Sequence, residues 1–467
     1  MSEVYIVYSR DDVNQAEQLV TLLSARWKVW WDDTIVGDFS TVIEREIPNT
    51  KCVVLLLSRT ARESSYVKDE LRLARQHSIP ILLAKIEETN APYGFLGLSA
   101  VDILNWTGEP DHPGIRQLFR KISTITPPRT VPSRLHAIGN GKVLLPSLFF
   151  SVSSHETQLV PLDAVRALRV FRAPTILISA YDLLPHRRPR GIQRELKKIR
   201  SQGGFVLVDS GNYEATRRGD KKWHPSNLAA ALKGIPHDWI YCFDKMNPSK
   251  SRKIAVRQII EAVKRDSKCT TAPVLPIVHA PATRSRGYDV TDLPYVIKEV
   301  ADQLQPPLIA VAERELGRGL IERARTVRRI RKELDGLSFY QPIHLLGTGN
   351  PWSIAILTAA GADSFDGLEW CRVSVDRQEQ RLNHYQHFDF FSYQARVASS
   401  PITVSAMSDD NIDYAGKVAF HNLDYFREFA KELQLSTTEG RLEAFVVGLL
   451  GPGNIKELRK QMSELFK

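Results

Sequence analysis

Hydrophobic and polar residues alternate in blocks over residues 3–125. Short apolar runs such as VYIVYS, CVVLLLS and IPILLAKI are separated by segments with helical periodicity, such as VNQAEQLVTLLSA and YVKDELRLARQH. The apolar runs are continuous, which is typical of parallel strands that helices cover on both faces. Five such runs, with KVWWD second and DILNW last, predict a flavodoxin-like, doubly wound α/β domain.

A longer period begins near residue 140, after a proline-containing stretch at 126–139 that predicts a linker. Apolar runs recur with their ends 34 or 35 residues apart, at Asp209, Asp244, His279, Glu313 and Gly347. Helical patterns fill the gaps, so residues 140–399 predict a (β/α)8 TIM barrel. A helical solenoid can show a similar period, but its repeats lack apolar runs that end in a charged residue. Residues 400–467 predict a helical C-terminal extension with a break at GPG.

Composition narrows the class of protein further. Of 467 residues, 43% are hydrophobic and 25% are charged, which is ordinary for a globular protein, and the four cysteines form no CxxC pair. We therefore expect no disulfide framework and a reducing compartment. A strand begins near Val4 and no apolar run approaches the roughly 20 residues that span a bilayer. These features predict a cytoplasmic protein with no signal peptide and no membrane contact.

The net charge of +10 is concentrated in basic clusters at 186–190, 250–257 and 322–332. Such clusters are often solvated helix faces. They are also typical of surfaces that bind the phosphates of a nucleic acid or nucleotide. Charge alone does not separate these two interpretations.

Three segments of the first domain resemble TIR domains of the bacterial NAD-cleaving kind. They are Ser9-Arg10-Asp11, Trp30-Trp31-Asp32-Asp33 and the segment from Ser65 to Glu70, which follow the first, second and third strands. The resemblance implies a TIR domain over residues 1–125 with NAD+ as substrate and Glu70 as the catalytic carboxylate. Arg10 would meet the pyrophosphate, and Trp31 would stack on a base. The implied NAD-binding residues are Ser9, Arg10, Asp11, Trp31, Asp33, Ser65 and Tyr66.

The implied chemistry needs little from the protein. Nicotinamide leaves NAD+ without a general acid, and a carboxylate stabilises the positive charge that develops on the ribose. Other interpretations remain open, because a glutamate early in a helix is often only a partner of the helix dipole and tryptophans in strands are often core residues. Residues 34–40 resemble the family's mobile loop, which predicts a homo-oligomer through TIR contacts.

Six segments of the barrel resemble the tRNA-guanine transglycosylase family. VDSGNYE, IYCFDKM, PIVHAP, IAVAE, LLGTGNP and GADSFDGLEWCR are similar, in order, to that family's DSGGFQ, FDEC, IVQGG, LAVGE, LMGVGxP and GxDMFDCxxPTR segments. The resemblance implies that Asp366 is the nucleophile, Asp209 the acid/base and Asp244 a reader of the base edge. Carboxylates that converge at strand ends are also expected to shift one another's pKa. The implied pocket comprises Asp209, Ser210, Asp244, His279, Glu313, Gly347, Gly349 and Asp366.

Several residues depart from the transglycosylase pattern. The family's three clustered cysteine ligands are absent and only His421 matches its histidine ligand, so we expect no zinc and no other cofactor. Glu214 adds a charge to the base pocket, and His279 replaces a glutamine. The aspartates could instead be caps of the loops that follow the strands.

Together these patterns predict a TIR-domain NAD+ hydrolase that acts in bacterial anti-phage defence. The barrel would sense a nucleic acid, a nucleotide or a modified base. One alternative is a base-exchange transglycosylase that uses Asp366 as nucleophile, with the TIR domain as an assembly scaffold. A second alternative is a signalling adaptor without enzymatic activity.

Overall fold

The structure of the chain is a computed structural model that describes residues 2–24, 26–31, 39–109, 112–127, 134–284 and 287–466. It contains two compact units, residues 1–131 and residues 132–467. In the described ranges, no helix is both long enough and apolar enough to cross a membrane.

The first unit contains a five-stranded parallel sheet in the order β2-β1-β3-β4-β5. The strands are β1 (Val4–Val7), β2 (Val29–Trp30), β3 (Cys52–Leu57), β4 (Ile81–Lys85) and β5 (Ala100–Asp102). This order confirms the flavodoxin-like prediction. It places a topological switch point beside β1, and ligands of such sheets bind at the carboxyl ends of the strands there.

Helices cover both faces of this sheet. They are α1 (Val13–Ser24), α2 (Phe39–Glu46), α3 (Arg59–Glu63), α4 (Ser65–Gln76) and α5 (Pro113–Ile125). Alternate residues of β3 enter different cores, because successive side chains of a strand point to opposite faces. Val54 and Leu56 pack with α1 and α5, whereas Val53 and Leu55 pack with α4. This double burial explains why β3 is apolar throughout.

The second unit is built on a ring of parallel strands. These are β6 (Ser147–Val152), β7 (Thr175–Ser179), β8 (Phe205–Asp209), β9 (Trp239–Tyr241), β10 (Val274–Leu275 and Ile277–Val278), β11 (Ile309–Ala312), β12 (Ile343–Leu346) and β13 (Ser364–Gly367). Strand β6 pairs with both β7 and β13. Pro276 interrupts β10, whose first half pairs with β9 and whose second half pairs with β11. The ring is therefore nearly closed, which confirms the predicted barrel.

Helices alternate with these strands on the outside of the ring. They are α6 (Pro161–Phe171), α7 (Ile192–Ser201), α8 (Asn212–Arg217), α9 (Pro225–Leu232), α10 (Arg252–Asp266), α11 (Leu293–Leu304), α12 (Leu320–Leu334), α13 (Pro351–Ala360) and α14 (Glu369–Arg372). The interior is filled by large side chains from the strands, including Phe149, Leu177, Leu207, Tyr241 and Leu275. It is a packed core, as in other barrels of this type.

Residues after the barrel form α15 (Ser392–Arg396), α16 (Pro401–Ser408), α17 (Tyr414–Thr438) and α18 (Leu442–Gln461). Helix α17 packs against α6 and α14, and α18 packs against α13. Gly451 has a φ of 74° and bends α18 at the predicted GPG break. The extension is thus part of the second compact unit.

One aspartate holds the amino-terminal end of the barrel together. Asp363 is fully buried and accepts hydrogen bonds from Arg134 Nε (2.9 Å), Arg331 (2.7 Å), the Tyr340 hydroxyl (2.7 Å) and the Ile343 amide (2.9 Å). Arg134 lies in the predicted linker, so the last part of that segment belongs to the barrel unit. These four contacts give Asp363 a structural role at this end of the barrel.

Candidate functional site

The turn after β1 carries the first predicted NAD-binding residues. Arg10 and Asp11 are exposed, whereas the next residue, Asp12, is buried. Asp12 accepts a 2.5 Å hydrogen bond from Ser58 Oγ, and burial raises the pKa of its carboxyl. Ser58 in turn accepts a hydrogen bond from the Ala61 amide and caps α3. Asp12, which the sequence did not single out, therefore ties this turn to the helices that follow β3.

Glu70 lies on the second turn of α4 and is half-buried. The helix begins after Ser64, whose hydroxyl accepts a hydrogen bond from the Val67 amide (3.4 Å). Tyr66 is 81% exposed and lies four residues before Glu70, so the two side chains share one face of the helix. Ser65, the first residue of the helix, is also exposed.

The two tryptophans at the end of β2 pack against different cores of the sheet, Trp30 on one face and Trp31 on the other. Trp30 stacks on Tyr5 with ring centroids 4.7 Å apart and packs against the core, as the alternative interpretation of these residues expected. The Trp31 ring lies 5.8 Å from the Tyr8 ring. Asp33 and the loop at 34–38 lie outside the described residues. Two cavities of this unit are formed by α1 with the loop after β5, and by α3 with the loop after β4; Glu70 lines neither.

A cavity of about 330 Å³ opens at the carboxyl ends of the barrel strands. It is lined by every strand-end residue of the 34–35-residue repeat, namely Asp209, Asp244, His279, Glu313 and Gly347. Ser210 and Asp366 also line it. The barrel therefore brings seven of the eight predicted pocket residues to one cavity, at the rim where this fold places its sites. Gly349, the eighth, does not line the cavity itself but lies against Glu369, which does.

Asp366 is held from three sides. Its Oδ2 accepts a hydrogen bond from Ser151 Oγ (2.7 Å), and its Oδ1 accepts one from the Gly347 amide (2.8 Å). His344 Nε2 lies 3.2 Å from the same Oδ1, and its Nδ1 lies 2.7 Å from Ser364 Oγ. These contacts fix the orientation of a carboxylate that is 7% exposed to the cavity.

His279 joins two buried carboxylates. Its Nε2 lies 2.8 Å from Asp244 Oδ2, and its Nδ1 lies 2.9 Å from Glu315 Oε1. Burial disfavours the imidazolium, but the two acids outweigh it and raise the pKa of His279 to about 10. For Asp244, burial is likewise outweighed, by the hydrogen bond and charge of His279, and its pKa is lowered. Ser210 Oγ donates a hydrogen bond to Asp244 Oδ1 (2.6 Å), so both carboxylate oxygens of Asp244 have a partner.

Asp209 and Glu214 form the contrasting pair. Burial raises the pKa of Asp209 well above its ordinary value, and Glu214 and the other cavity carboxylates raise it further. The Gly211 amide, 3.1 Å from Asp209 Oδ2, acts in the opposite direction. Burial also raises the pKa of Glu214, which the hydroxyls of Ser153 and Ser179 oppose. The pKa of Asp209 is thus raised, as expected for converging carboxylates. The pKa of Asp244 is lowered instead, because the His279 imidazolium stabilises its charged form.

The Glu369 side chain lies against Gly349 and Gly367, where the absence of a Cβ atom leaves room for it. A Cβ atom at Gly349 would lie 1.7 Å from Glu369 Oε2, and one at Gly367 would lie 2.3 Å from it. Glu369 Oε1 accepts a 2.8 Å hydrogen bond from Arg372, and burial raises the pKa of the carboxyl. The glycines of LLGTGNP and SFDG therefore admit this side chain at the cavity.

Sequence reasoning missed four residues of this site: Ser151, Glu315, His344 and Glu369. A histidine inside the apolar PIHLL strand and a second glutamate after IAVAE were available signals.

At the cavity mouth, Tyr213 lies between two guanidinium groups, with Arg314 4.9 Å and Arg217 5.3 Å from its ring centroid.

The residues present do not fit the zinc site that the transglycosylase resemblance would imply. His421 is fully buried, and its Nε2 lies 2.7 Å from the Val375 carbonyl oxygen. Burial lowers its pKa. Among the described residues, no three His, Cys, Asp or Glu side chains are grouped so that they could hold a metal ion.

Comparisons with known proteins agree with the two-unit architecture. Residues 4–119 match the TIR domain family. The chain is also 22% identical over 235 residues to a tRNA-guanine(15) transglycosylase from Archaeoglobus fulgidus. That match covers 46% of this chain and 45% of the relative, so it spans less than half of either protein. The chain thus joins an N-terminal TIR domain to a barrel that is a distant relative of the tRNA-guanine transglycosylases.

Proposed function

We propose that this protein is a TIR-domain NAD+ hydrolase whose activity is controlled by a nucleotide, nucleic acid or modified base bound in the barrel. The observation that carries the proposal is the TIR domain match over residues 4–119, with Glu70 on α4, the second helix after β3. In this family position a carboxylate stabilises the ribose cation as nicotinamide departs. Domain pairings of this sort suggest a role in anti-phage defence.

The barrel supports the sensing half of the proposal. Its cavity is concave, mostly buried and lined by a small set of oriented polar groups, which are the features of a small-molecule site. A ligand there would promote NAD+ cleavage only if it binds the active assembly more tightly than the inactive one. We propose a homo-oligomer through TIR contacts as that assembly.

The direct test is NAD+ loss in the full chain, measured with and without phage infection or added nucleic acid. Glu70→Gln removes the charge at constant shape, and we expect it to abolish NAD+ cleavage. The matched control is Asp69→Asn, because Asp69 is the neighbouring exposed carboxylate and forms a surface ion pair with Arg72 (3.0 Å). Equal activity of Glu70→Gln and the native protein would refute the catalytic role of Glu70.

A second candidate function is base exchange, which the arrangement of Asp366 favours. Its carboxylate is oriented by Ser151 and Gly347 and lines the same cavity as Asp209, whose raised pKa suits an acid/base. The assay is incorporation of labelled guanine into RNA or DNA, with Asp366→Asn as the variant. Incorporation that Asp366→Asn abolishes and Glu70→Gln preserves would favour this function over NAD+ cleavage.

A further inference from the structure

Asp209 and Glu214 differ from the other buried acids of the barrel cavity. Asp244 is paired with His279, Glu313 with Arg323 (2.7 Å) and Glu369 with Arg372. In the part of the barrel that the structure describes, neither Asp209 nor Glu214 has a cationic partner. Buried carboxyls without a counter-charge are costly, so their presence together marks a functional site.

Glu214 also has an unused hydrogen-bonding atom. The residue is 6% exposed and lines the cavity, and its Oε1 accepts a hydrogen bond from Ser153 Oγ (2.9 Å). Its Oε2 is buried and accepts no hydrogen bond of standard geometry from the described residues, although the Ser179 hydroxyl is close enough to lower the pKa of this carboxyl. An unsatisfied buried oxygen destabilises the free protein, and a ligand with an N–H donor would satisfy it.

We propose that the barrel cavity takes a compact ligand with a cationic nitrogen group, and that Asp209 and Glu214 bind this group as carboxylates. The inference rests on the proposed ligand-binding role of the barrel and specifies the chemistry of the ligand. The volume of about 330 Å³ is near the lower end of small-molecule sites, so the ligand is of nucleobase size. Asp366 also lines the wall, but its two oxygens already accept hydrogen bonds from Ser151 and Gly347. The acid pair Asp209 and Glu214 is therefore the charge-selective element.

The surroundings of the pair set the sign of the pH dependence. Asp209 faces Glu214, Asp244 and Asp366, and Glu214 also faces Asp182. These neighbours and burial hold protons on the pair in the free protein. A cation must displace those protons, so its affinity rises with pH until the pair is ionised and then becomes constant.

Benzamidine and benzamide provide a matched probe, because they share size and shape and only benzamidine carries a charge. We would measure their affinities for the full-length protein by calorimetry from about pH 5 to about pH 8. Benzamidine is expected to bind at least about tenfold more tightly than benzamide, with an affinity that rises with pH. Glu214→Gln is expected to weaken benzamidine by about tenfold or more, the effect of one charge-assisted hydrogen bond, and to leave benzamide unchanged.

The control is Glu156→Gln. Glu156 is a half-exposed carboxylate at the rim, 3.8 Å from Arg372, and its neutralisation is expected to leave benzamidine affinity unchanged. Tighter binding of benzamide, absence of benzamidine binding, or an affinity that falls as pH rises would each overturn the cationic-ligand proposal. None of these outcomes tests the proposed NAD+ cleavage by the TIR domain, which the Glu70→Gln assay measures separately. If benzamide alone binds, the cavity remains a ligand site and only its charge preference is wrong. The pH profile of the native protein keeps the test valid if Glu214→Gln fails to fold.

Discussion

The buried imidazolium of His279 makes the sharpest stability prediction. In His279→Gln the amide retains much of the shape but no charge, so Asp244 loses its buried cation and Glu315 is left with the Arg314 guanidinium at 4.0 Å. Their side chains are only 4% and 1% exposed. Removing one partner of a buried ion network typically lowers the free energy of unfolding by about 3–5 kcal/mol.

The pKa of His279 gives a second route to the magnitude. It is about 10 in the folded protein against an ordinary 6.5, a difference of 3.5. At 1.36 kcal/mol for each pH unit, this corresponds to about 5 kcal/mol, in line with the mutational range. Because the folded pKa is raised, the stabilisation is fully present below about pH 6.5 and is lost as pH rises through about 10.

The assay is urea unfolding of the full chain at several pH values, followed by hydrogen exchange in peptides that cover Val274–Val278, so that the barrel is observed separately from the TIR domain. We expect the difference between the native protein and His279→Gln to be largest near pH 6 and to shrink towards pH 10. Adding Asp244→Asn and Glu315→Gln should recover most of the loss, because these three positions then bury no charge. A difference that is below 1 kcal/mol, or equal at both pH values, would refute the reasoning.

Three further predictions follow from single contacts. Asp363→Asn should lower the free energy of unfolding of the barrel, measured in urea, by about 3–5 kcal/mol, because the guanidinium groups of Arg134 and Arg331 lose their buried counter-charge. A loss below about 1 kcal/mol, as is typical of a surface ion pair, would contradict this. Gly349→Ala should lower the free energy of unfolding, measured by thermal unfolding, by about 1–3 kcal/mol, because its Cβ would lie 1.7 Å from Glu369 Oε2. An unchanged melting temperature would show that the Glu369 carboxyl rotates away without cost. Ser58→Ala should destabilise the TIR domain by about 1–3 kcal/mol, because buried Asp12 loses its 2.5 Å hydrogen bond, and unchanged exchange rates in β3 would show otherwise.

The order of strands could be predicted from the sequence because burial on both faces leaves a local signature. The continuous apolar run of β3 reflects two cores, and the 34–35-residue repeat reflects one strand and one helix per unit. The interruption of β10 at Pro276 was not predicted, since it depends on which neighbours each half-strand finds. The start of the second unit inside the predicted linker likewise depends on the distant contact of Arg134 with Asp363.

The sequence by itself determined which residues end the barrel strands, and parallel strands in a closed ring must bring those ends to one rim. It did not determine how the charges there are paired. Only the tertiary structure placed His279 between Asp244 and Glu315, and left Asp209 beside Glu214 with no cationic partner among the residues it describes. Strand periodicity is a local property of the chain, whereas a carboxyl's protonation depends on neighbours that lie dozens of residues away and are joined to it only through the folded barrel.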